Sequence, residues 1–355
     1  MKRQRLIKSI FFAVLVCASS QAQTISLTYR GMMNTGQSCR TADGGTLAVN
    51  GLSGITHLRD DSFLAVMDNS NRVIRMKIAL GADGSIGSAG YDGAIQVAQH
   101  HDYEGIAIGA NLNSVFLSEE DTPAIREFRM SDGAFVRQVA LPPVYLRGNT
   151  RGNFGLESLT IRDGQMWTAN EEALRSDGDR STAKSGCIVR LTHFFSKGNE
   201  WSADKQFAYV TDPIPGVPND ADRGTSRSGV SDLMLLPDGR LLVLERAFAL
   251  SGPANLLSKF RNAIYLADGS DATDILPLGN SLKGSRILGV KKTLLWSHEG
   301  NDIGNLEGLA LGPRLGDNRW AVVGVVDNNA NALMPNRVVS FELSLDAIPS
   351  TRSSR

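Results

Sequence analysis

Acidic residues recur in this sequence at matching places in widely separated segments. DYEGIAIG (102–109), GLESLTIR (155–162) and NLEGLALG (305–312) carry Glu104, Glu157 and Glu307 at one point of a short apolar run, where GLSGITHL (51–58) and GVSDLMLL (229–236) carry Ser53 and Ser231. Each run is followed by a second that ends in acids or amides: Asp68 and Asn69, Glu119 and Glu120, Glu171 and Glu172, Glu245 and Arg246, Asp327 and Asn328. Three carboxylates brought together raise one another's pKa or repel unless a cation or several arginines offset them. Glu104, Glu157 and Glu307 are therefore candidate ligands of a hard ion. Calcium, which accepts many oxygen ligands in flexible geometry, is the first expectation and magnesium the second; zinc favours His or Cys, and the chain has 5 His and 3 Cys. The competing reading is a structural latch, in which the same glutamates cap strand ends or bond a neighbouring segment's backbone.

Side chains alternate across a strand, so only one residue of each adjacent pair at the second-run ends faces a given side. Glu120, Glu171, Glu245 and Asp327 are the candidates for activating water or holding a second cation, because a general base must lie within hydrogen-bond reach of its proton. Salt bridging between segments competes with that role at each position. If the substrate carries phosphate, Arg is the side chain that grips its oxygens in pairs. Arg126, Arg147, Arg151, Arg175, Arg223 and Arg227 lie in or beside loops, and Arg246 is placed by the apolar run LLVLERAF itself. Arg246 is the substrate-binding candidate. His101, next to Asp102 and three residues before Glu104, is the histidine placed to act as acid, base or ligand; a solvated loop histidine is the plainer alternative.

The elements that must position these groups follow from the repeat. Ser53, Glu104, Glu157, Ser231 and Glu307 are 51, 53, 74 and 76 residues apart, and every interval holds short aliphatic runs bounded by turn pairs such as Asp83-Gly84, Asp132-Gly133, Asp163-Gly164 and Asp238-Gly239. RVIRMKIAL, AIREFRM, CIVRLTHFF, NAIYLADGS and RVVSFELSL supply further strands. Four strands per unit at such a period predict an all-β fold, a β-propeller of five or six four-stranded blades, with ISLTYRG (25–31) completing the last blade and closing the ring. The first strand of each blade then runs beside the central axis, so Glu104, Glu157 and Glu307 converge on the channel. Stretches 174–186, 211–228 and 270–300, rich in Gly, Pro, Ser and charge, read as loops over one face.

Composition narrows the function. Lys+Arg 37 equals Asp+Glu 37 over 355 residues, so no basic excess exists to neutralise nucleic acid. MKRQRLIKSIFFAVLVCASSQAQ has the basic start, short apolar run and small residues of a signal peptide, predicting cleavage after Ala22 and a single domain over 23–355, periplasmic or secreted. No apolar run is long enough for a membrane span. A monomer with a small phosphorylated or anionic substrate is expected. Cys39 and Cys187 would then meet an oxidising compartment, which permits a disulfide that spacing cannot assign. Serine-hydrolase, zincin and P-loop motifs (GxSxG, HExxH, GxxxxGK) are absent.

DYEGIAI, NFGLESL followed by ANEEA, LLVLERAF, and NLEGLALGP followed by VVDNN together resemble the phytase-like family, described as having esterase-like activity of phytase, from about Gly51 to Leu343. The resemblance implies a propeller whose repeated Glu and Asp residues support phosphoester hydrolysis with a hard divalent metal. Ser53, where other repeats carry an acid, and Ser231 beside Asp232 depart from that pattern. The expected function is a metal-dependent phosphoric ester hydrolase, a phosphomonoesterase or phosphodiesterase using an activated water. Two alternatives stay open: a non-catalytic propeller binding a small anionic ligand, polysaccharide or protein with structural calcium, and a calcium-dependent lactonase.

Overall fold

Aliphatic runs broken by Asp-Gly pairs become antiparallel strands joined by tight turns. Asp163 and Gly164 both adopt left-handed φ angles, 49° and 74°, the backbone that a two-residue hairpin needs and that Gly supplies without strain. The protein was described from a computed structural model, covering residues 25–146, 148–198, 200–216, 225–252, 257–328 and 334–345. The signal peptide read over 1–22 lies outside the described residues.

The chain opens with β1 (Ile25–Asn34) and a small hairpin, β2 (Ser38–Arg40) with β3 (Thr46–Ala48). Blade one comprises β4 (Leu52–Arg59), β5 (Ser62–Met67), β6 (Ser70–Leu80) and β7 (Ile86–His101). Blade two comprises β8 (Tyr103–Ile108), β9 (Ser114–Glu119), β10 (Ala124–Arg129) and β11 (Phe135–Val139). Blade three has β12 (Thr160–Arg162), β13 (Gln165–Ala169), β14 (Ile188–Lys197) and β15 (Glu200–Val210), and blade four β16 (Arg227–Leu235), β17 (Leu241–Ser251), β18 (Leu257–Asp268) and β19 (Lys291–Glu299). Blade five has β20 (Asn305–Gly316), β21 (Arg319–Asp327) and β22 (Arg337–Leu345), with β1 as its outer strand.

The innermost strands touch in a ring, β4 to β8, β8 to β12, β12 to β16, β16 to β20 and β20 back to β4. Of the two expected blade counts, the structure has five among the described residues. The N-terminal strand closes the last blade as expected, pairing antiparallel from Ile25↔Leu345 to Asn34↔Arg337. The stretch 270–300 does not remain a loop throughout: Lys291–Glu299 pairs with β18 as the outer strand of blade four.

Alternation along the inner and middle strands buries both faces. In β21, Val322 and Val326 pack towards blade four with Leu244 and Ile264, while Val323 and Val325 pack towards blade one with Leu52 and Phe63. Comparable apolar layers join blades one and two through Val66 and Leu117, two and three through Phe116 and Phe194, and three and four through Leu191 and Val243. Burying such a side chain contributes roughly 1.5–3 kcal/mol, so these layers hold the blades, and hence the channel, in register. Cys39 and Cys187 are buried, unpaired and in different layers, so the permitted disulfide does not form. No helix among the described residues is long and apolar enough to cross a membrane.

Candidate functional site

One local device repeats in all five blades and sets the site. Tyr103 pairs with Glu119 and Ile106 with Leu117, so Glu104 and Gly105 together face only Ser118. Leu306 pairs with Val326 and Gly308 with Val325, leaving Glu307 off the ladder, and Val230 and Asp232 flank Ser231 in the same way. Blade one slips by one residue between Leu52 and Ile55, and blade three between the Leu156↔Asn170 bridge and Thr160↔Trp167. These are β-bulges, which release a residue from pairing and re-aim its side chain. The repeated acid position is therefore the bulge position.

The residue after the acid is constrained by the next blade. A Cβ on Gly54 would lie 2.6 Å from the Glu104 carbonyl oxygen, and one on Gly105 2.6 Å from the Leu159 nitrogen, which explains the recurring Gly in these runs. Blade four has Asp232 there instead, and its carboxylate accepts the N–H of Leu233 at 2.8 Å and of Leu309 in blade five at 2.7 Å. Burial pushes the Asp232 carboxyl well up, and the N–H groups of Leu309, Leu233 and Leu159 oppose that rise. Asp232 is thus an interblade latch.

Glu104, Glu157 and Glu307 are all buried, and each lies close enough to the other two to repel them: Glu104 feels Glu157 and Glu307, and Glu157 feels Glu307. Around them stand two groups of acids. One carboxylate oxygen each from Glu120, Glu157 and Glu171 lies within 4.8 Å of the other two, and the same holds for Asp68, Asp102 and Glu104. Beneath, a cavity of about 140 Å³ is lined by residues of every inner strand, among them Thr56, Ile106, Ile161, Leu235 and Ala310.

A single guanidinium divides this ring. Arg246 donates from Nη1 to Glu307 Oε1 at 2.7 Å and Asn305 Oδ1 at 3.0 Å, and from Nη2 to Glu171 Oε1 at 2.6 Å, with Glu157 Oε1 at 3.9 Å. Asn305 also donates to Glu307 Oε1 and, at 3.2 Å, to Asp327 Oδ2. Burial works against the Arg246 charge, but Glu307, Glu171, Glu157 and Asp327 outweigh it and raise its pKa. Asp68, Asp102, Glu104 and Glu120 make no ion pair with a described Lys or Arg, and Glu120 stands between them and the Glu157 and Glu171 carboxylates beside Arg246.

Electrostatics follow this division. Burial first, then neighbouring acids, push Glu104 and Glu120 well above the ordinary carboxylate range. Glu157 is raised in the same way, with Arg246 opposing; Glu307 is pushed up to about 8 by burial despite Arg246. Asp102 is pushed up to about 7 by burial and by its contact with Asp68. Glu157 Oε2, Glu307 Oε2 and Asp102 Oδ1 are buried without a hydrogen-bond partner among the described residues. An all-oxygen donor set with Asp102 Oδ1 unbonded and no described cation beside it fits a hard divalent ion held by Asp68, Asp102 and Glu104.

The residues singled out in the sequence fall on both sides of this picture. Glu104, Glu157, Glu307, Glu120, Glu171 and Asp327 come together at the channel mouth, although Glu307 and Glu171 are already bonded to Arg246. Glu245 does not join them: its carboxylate accepts from the Tyr209 hydroxyl at 2.6 Å, the Asp212 N–H at 2.7 Å and Lys292 Nζ at 2.6 Å. Adjacent residues on β17 face opposite ways, and there the inward one is Arg246. The outward neighbours Glu119 and Glu172 likewise pair away from the axis, Glu119 with Arg126 and Glu172 with Arg180 at 2.6 Å. His101 Nδ1 lies 3.0 Å from Glu119 Oε1, so it serves the outward pair. Burial, then Arg126 and His100, hold the His101 pKa down. Asp68 and Asp102 were not selected from sequence. The shared Asp-Asn ending of Asp68-Asn69 and Asp327-Asn328 is the signal that points to Asp68.

Comparison with known proteins adds the following. The family described as Phytase-like: Esterase-like activity of phytase matches residues 47–330. No curated protein matches. Among solved structures, Kuenenia stuttgartiensis hydrazine synthase is similar at 10% identity and a TM-score of 0.36, over 85% of this chain and 64% of that one; the chain thus spans less than two thirds of that protein. A protein of unknown function from Bacteroides thetaiotaomicron is similar at 10% identity and a TM-score of 0.36, over 91% of this chain and 77% of that one. Neither likeness carries a functional argument. Matched over most of its length, the chain belongs to the phytase-like family, the one described by esterase-like activity of phytase.

Proposed function

We propose that this protein is a metal-dependent hydrolase of phosphoric mono- or diesters, acting at the channel mouth in the periplasm or outside the cell after cleavage of residues 1–22. The observation that carries this reading is the uneven countercharge: four acids share Arg246, and Asp68, Asp102, Glu104 and Glu120 have no described cation beside them. A hard divalent cation there, calcium first and magnesium second, would supply positive charge to offset the negative charge on a phosphoryl group. Arg246 fixes the Glu171 and Glu307 carboxylates. Arg227, 4.0 Å from Glu171 Oε2, adds a guanidinium able to face phosphate oxygens. Glu157, its pKa raised by burial and the neighbouring acids and its Oε2 unbonded among the described residues, is the carboxyl that would deliver a proton from that atom to a leaving oxygen.

The test is turnover of p-nitrophenyl phosphate, bis-p-nitrophenyl phosphate, phytate and simple lactones, with EDTA and with added calcium. Phosphoester turnover that EDTA abolishes, calcium restores and Glu104→Gln removes is expected. EDTA-insensitive turnover, or a fully active Glu104→Gln, overturns the reading. Lactone turnover alone identifies a lactonase, and calcium-dependent melting without turnover identifies a binding propeller.

A further inference from the structure

Beside the acids, β16, β17 and β18 lay down two successive rows. The inner row is Gly229↔Arg246↔Asn262 and the outer row is Arg227↔Phe248↔Phe260. Two residues along a strand separate the rows by about 7 Å. Phe248 and Phe260 form a cross-strand ring pair, centroids 4.9 Å apart and tilted by 46°, and both rings are only partly buried. With Arg227, Arg246 and Asn305 they line a cavity of about 270 Å³. The Arg227 side chain makes no hydrogen bond with another described residue; its guanidinium lies over the Phe154 ring at 4.8 Å, and its side chain is 31% exposed. The wall thus joins cationic groups at its base and edge to an apolar aromatic surface.

We infer that this cavity is the pocket for the leaving group, and that the substrates are phosphoric esters of flat, apolar alcohols, aryl esters above all. This rests on the hydrolase reading above. A dry cavity of about 150 Å³ can hold benzene, so the volume here admits a substituted ring. Offset or edge-on contact with aromatic rings favours a flat group beyond the area it buries. The 7 Å step between rows places such a ring against Phe248 and Phe260 while the phosphoryl group stays at the level of Arg246. In the reaction the oxygen of water bonds to phosphorus and the P–O bond to the ring oxygen breaks, its electron pair staying on that oxygen. One proton of the water passes to the aryloxide, so no other reactant is needed.

The test compares phenylphosphonate with methylphosphonate by titration calorimetry on the calcium-saturated full chain, and phenyl phosphate with ethyl phosphate by turnover. Phenylphosphonate is expected to bind at least tenfold tighter. Phe248→Ala and Phe260→Ala are expected to bring that ratio below threefold, and Phe248→Leu, which keeps bulk but removes the ring, to lower it partway. Phe135→Ala, an exposed ring on β11, leaves the ratio intact. Equal affinities in the wild type, or a ratio that survives both alanine variants in protein of unchanged melting temperature, overturns the inference. Turnover of both esters without aryl preference sinks this inference alone; no binding and no turnover sinks the hydrolase reading with it.

Discussion

Arg246→Met removes the guanidinium that bonds Glu171 at 2.6 Å and Glu307 at 2.7 Å, in a side chain only 12% exposed. Breaking a buried pair from one side typically costs about 3–5 kcal/mol, because the remaining charge is left buried. For 355 residues, of which the first two dozen precede the fold, an unfolding entropy near 2.1 cal/mol/K per residue gives roughly 0.7 kcal/mol per kelvin. The expected drop in melting temperature is therefore about 4–7 °C at a pH where Glu307 is ionised. The sign of its pH dependence is fixed by Glu307, whose folded pKa of about 8 exceeds its ordinary value of 4.5. A raised acid leaves stability intact below its unfolded pKa and erodes it until pH passes the folded value. Without Arg246 the folded pKa rises further, so wild type and variant lose stability in parallel up to about pH 8 and the variant's extra deficit grows only above it. Calorimetric melts in EDTA at about pH 6, 8 and 9.5 measure this, and adding Glu307→Gln should recover part of the loss at the highest pH. An equal deficit at all three values would refute the assignment of Arg246 as countercharge to the pore acids.

Calcium at a hundred times its dissociation constant should stabilise the protein by about 2.7 kcal/mol, raising the melting temperature by roughly 4 °C. Glu104→Gln should abolish that rise and melt no lower than wild type in EDTA at pH 8, since it removes a buried carboxyl with a raised pKa; an undiminished calcium shift counts against the ligand set. Glu245→Ala strands the Tyr209 hydroxyl and the Asp212 N–H and leaves Lys292 only Asp212, so its melting temperature should fall by several degrees, while phosphoester kcat/KM measured at 20 °C stays within twofold. Gly105→Ala drives a Cβ to 2.6 Å from the Leu159 nitrogen, an overpacking cost of about 1–3 kcal/mol that chemical denaturation should register. A neutral Gly105→Ala would show that the inner strands can spread.

The blades were legible because each repeats an aliphatic run, a turn pair and a second run, and Val322 to Val326 show why: the middle strands are buried on both faces, so their runs stay apolar. The acid position was legible as well, since a bulge at one place in every blade preserves Glu104, Glu157 and Glu307 in register. Which member of each second-run pair looks inward was not. An extra residue on the first strand says nothing of facing on the second, so Glu245 read as equivalent to Glu120 until β17 turned Arg246 towards the axis. Asp102 escaped for another reason. It sits at the joint between β7 and β8, where no repeat marks a position, and only the fold brings it against Asp68.

The pairing of β1 with β22 sets the order in which the molecule can assemble. Asn34 must find Arg337 across roughly 300 intervening residues, a closure entropy of about 5 kcal/mol that no local contact offsets in advance. Four blades can zip up from neighbouring hairpins during synthesis, but the fifth waits for the far end of the chain and meanwhile shows a bare edge along Val338, Ser340 and Glu342. Completion is thus a late, all-or-none docking event, and a nascent copy whose first strand is engaged elsewhere is left with an open sheet border that invites another chain's strand.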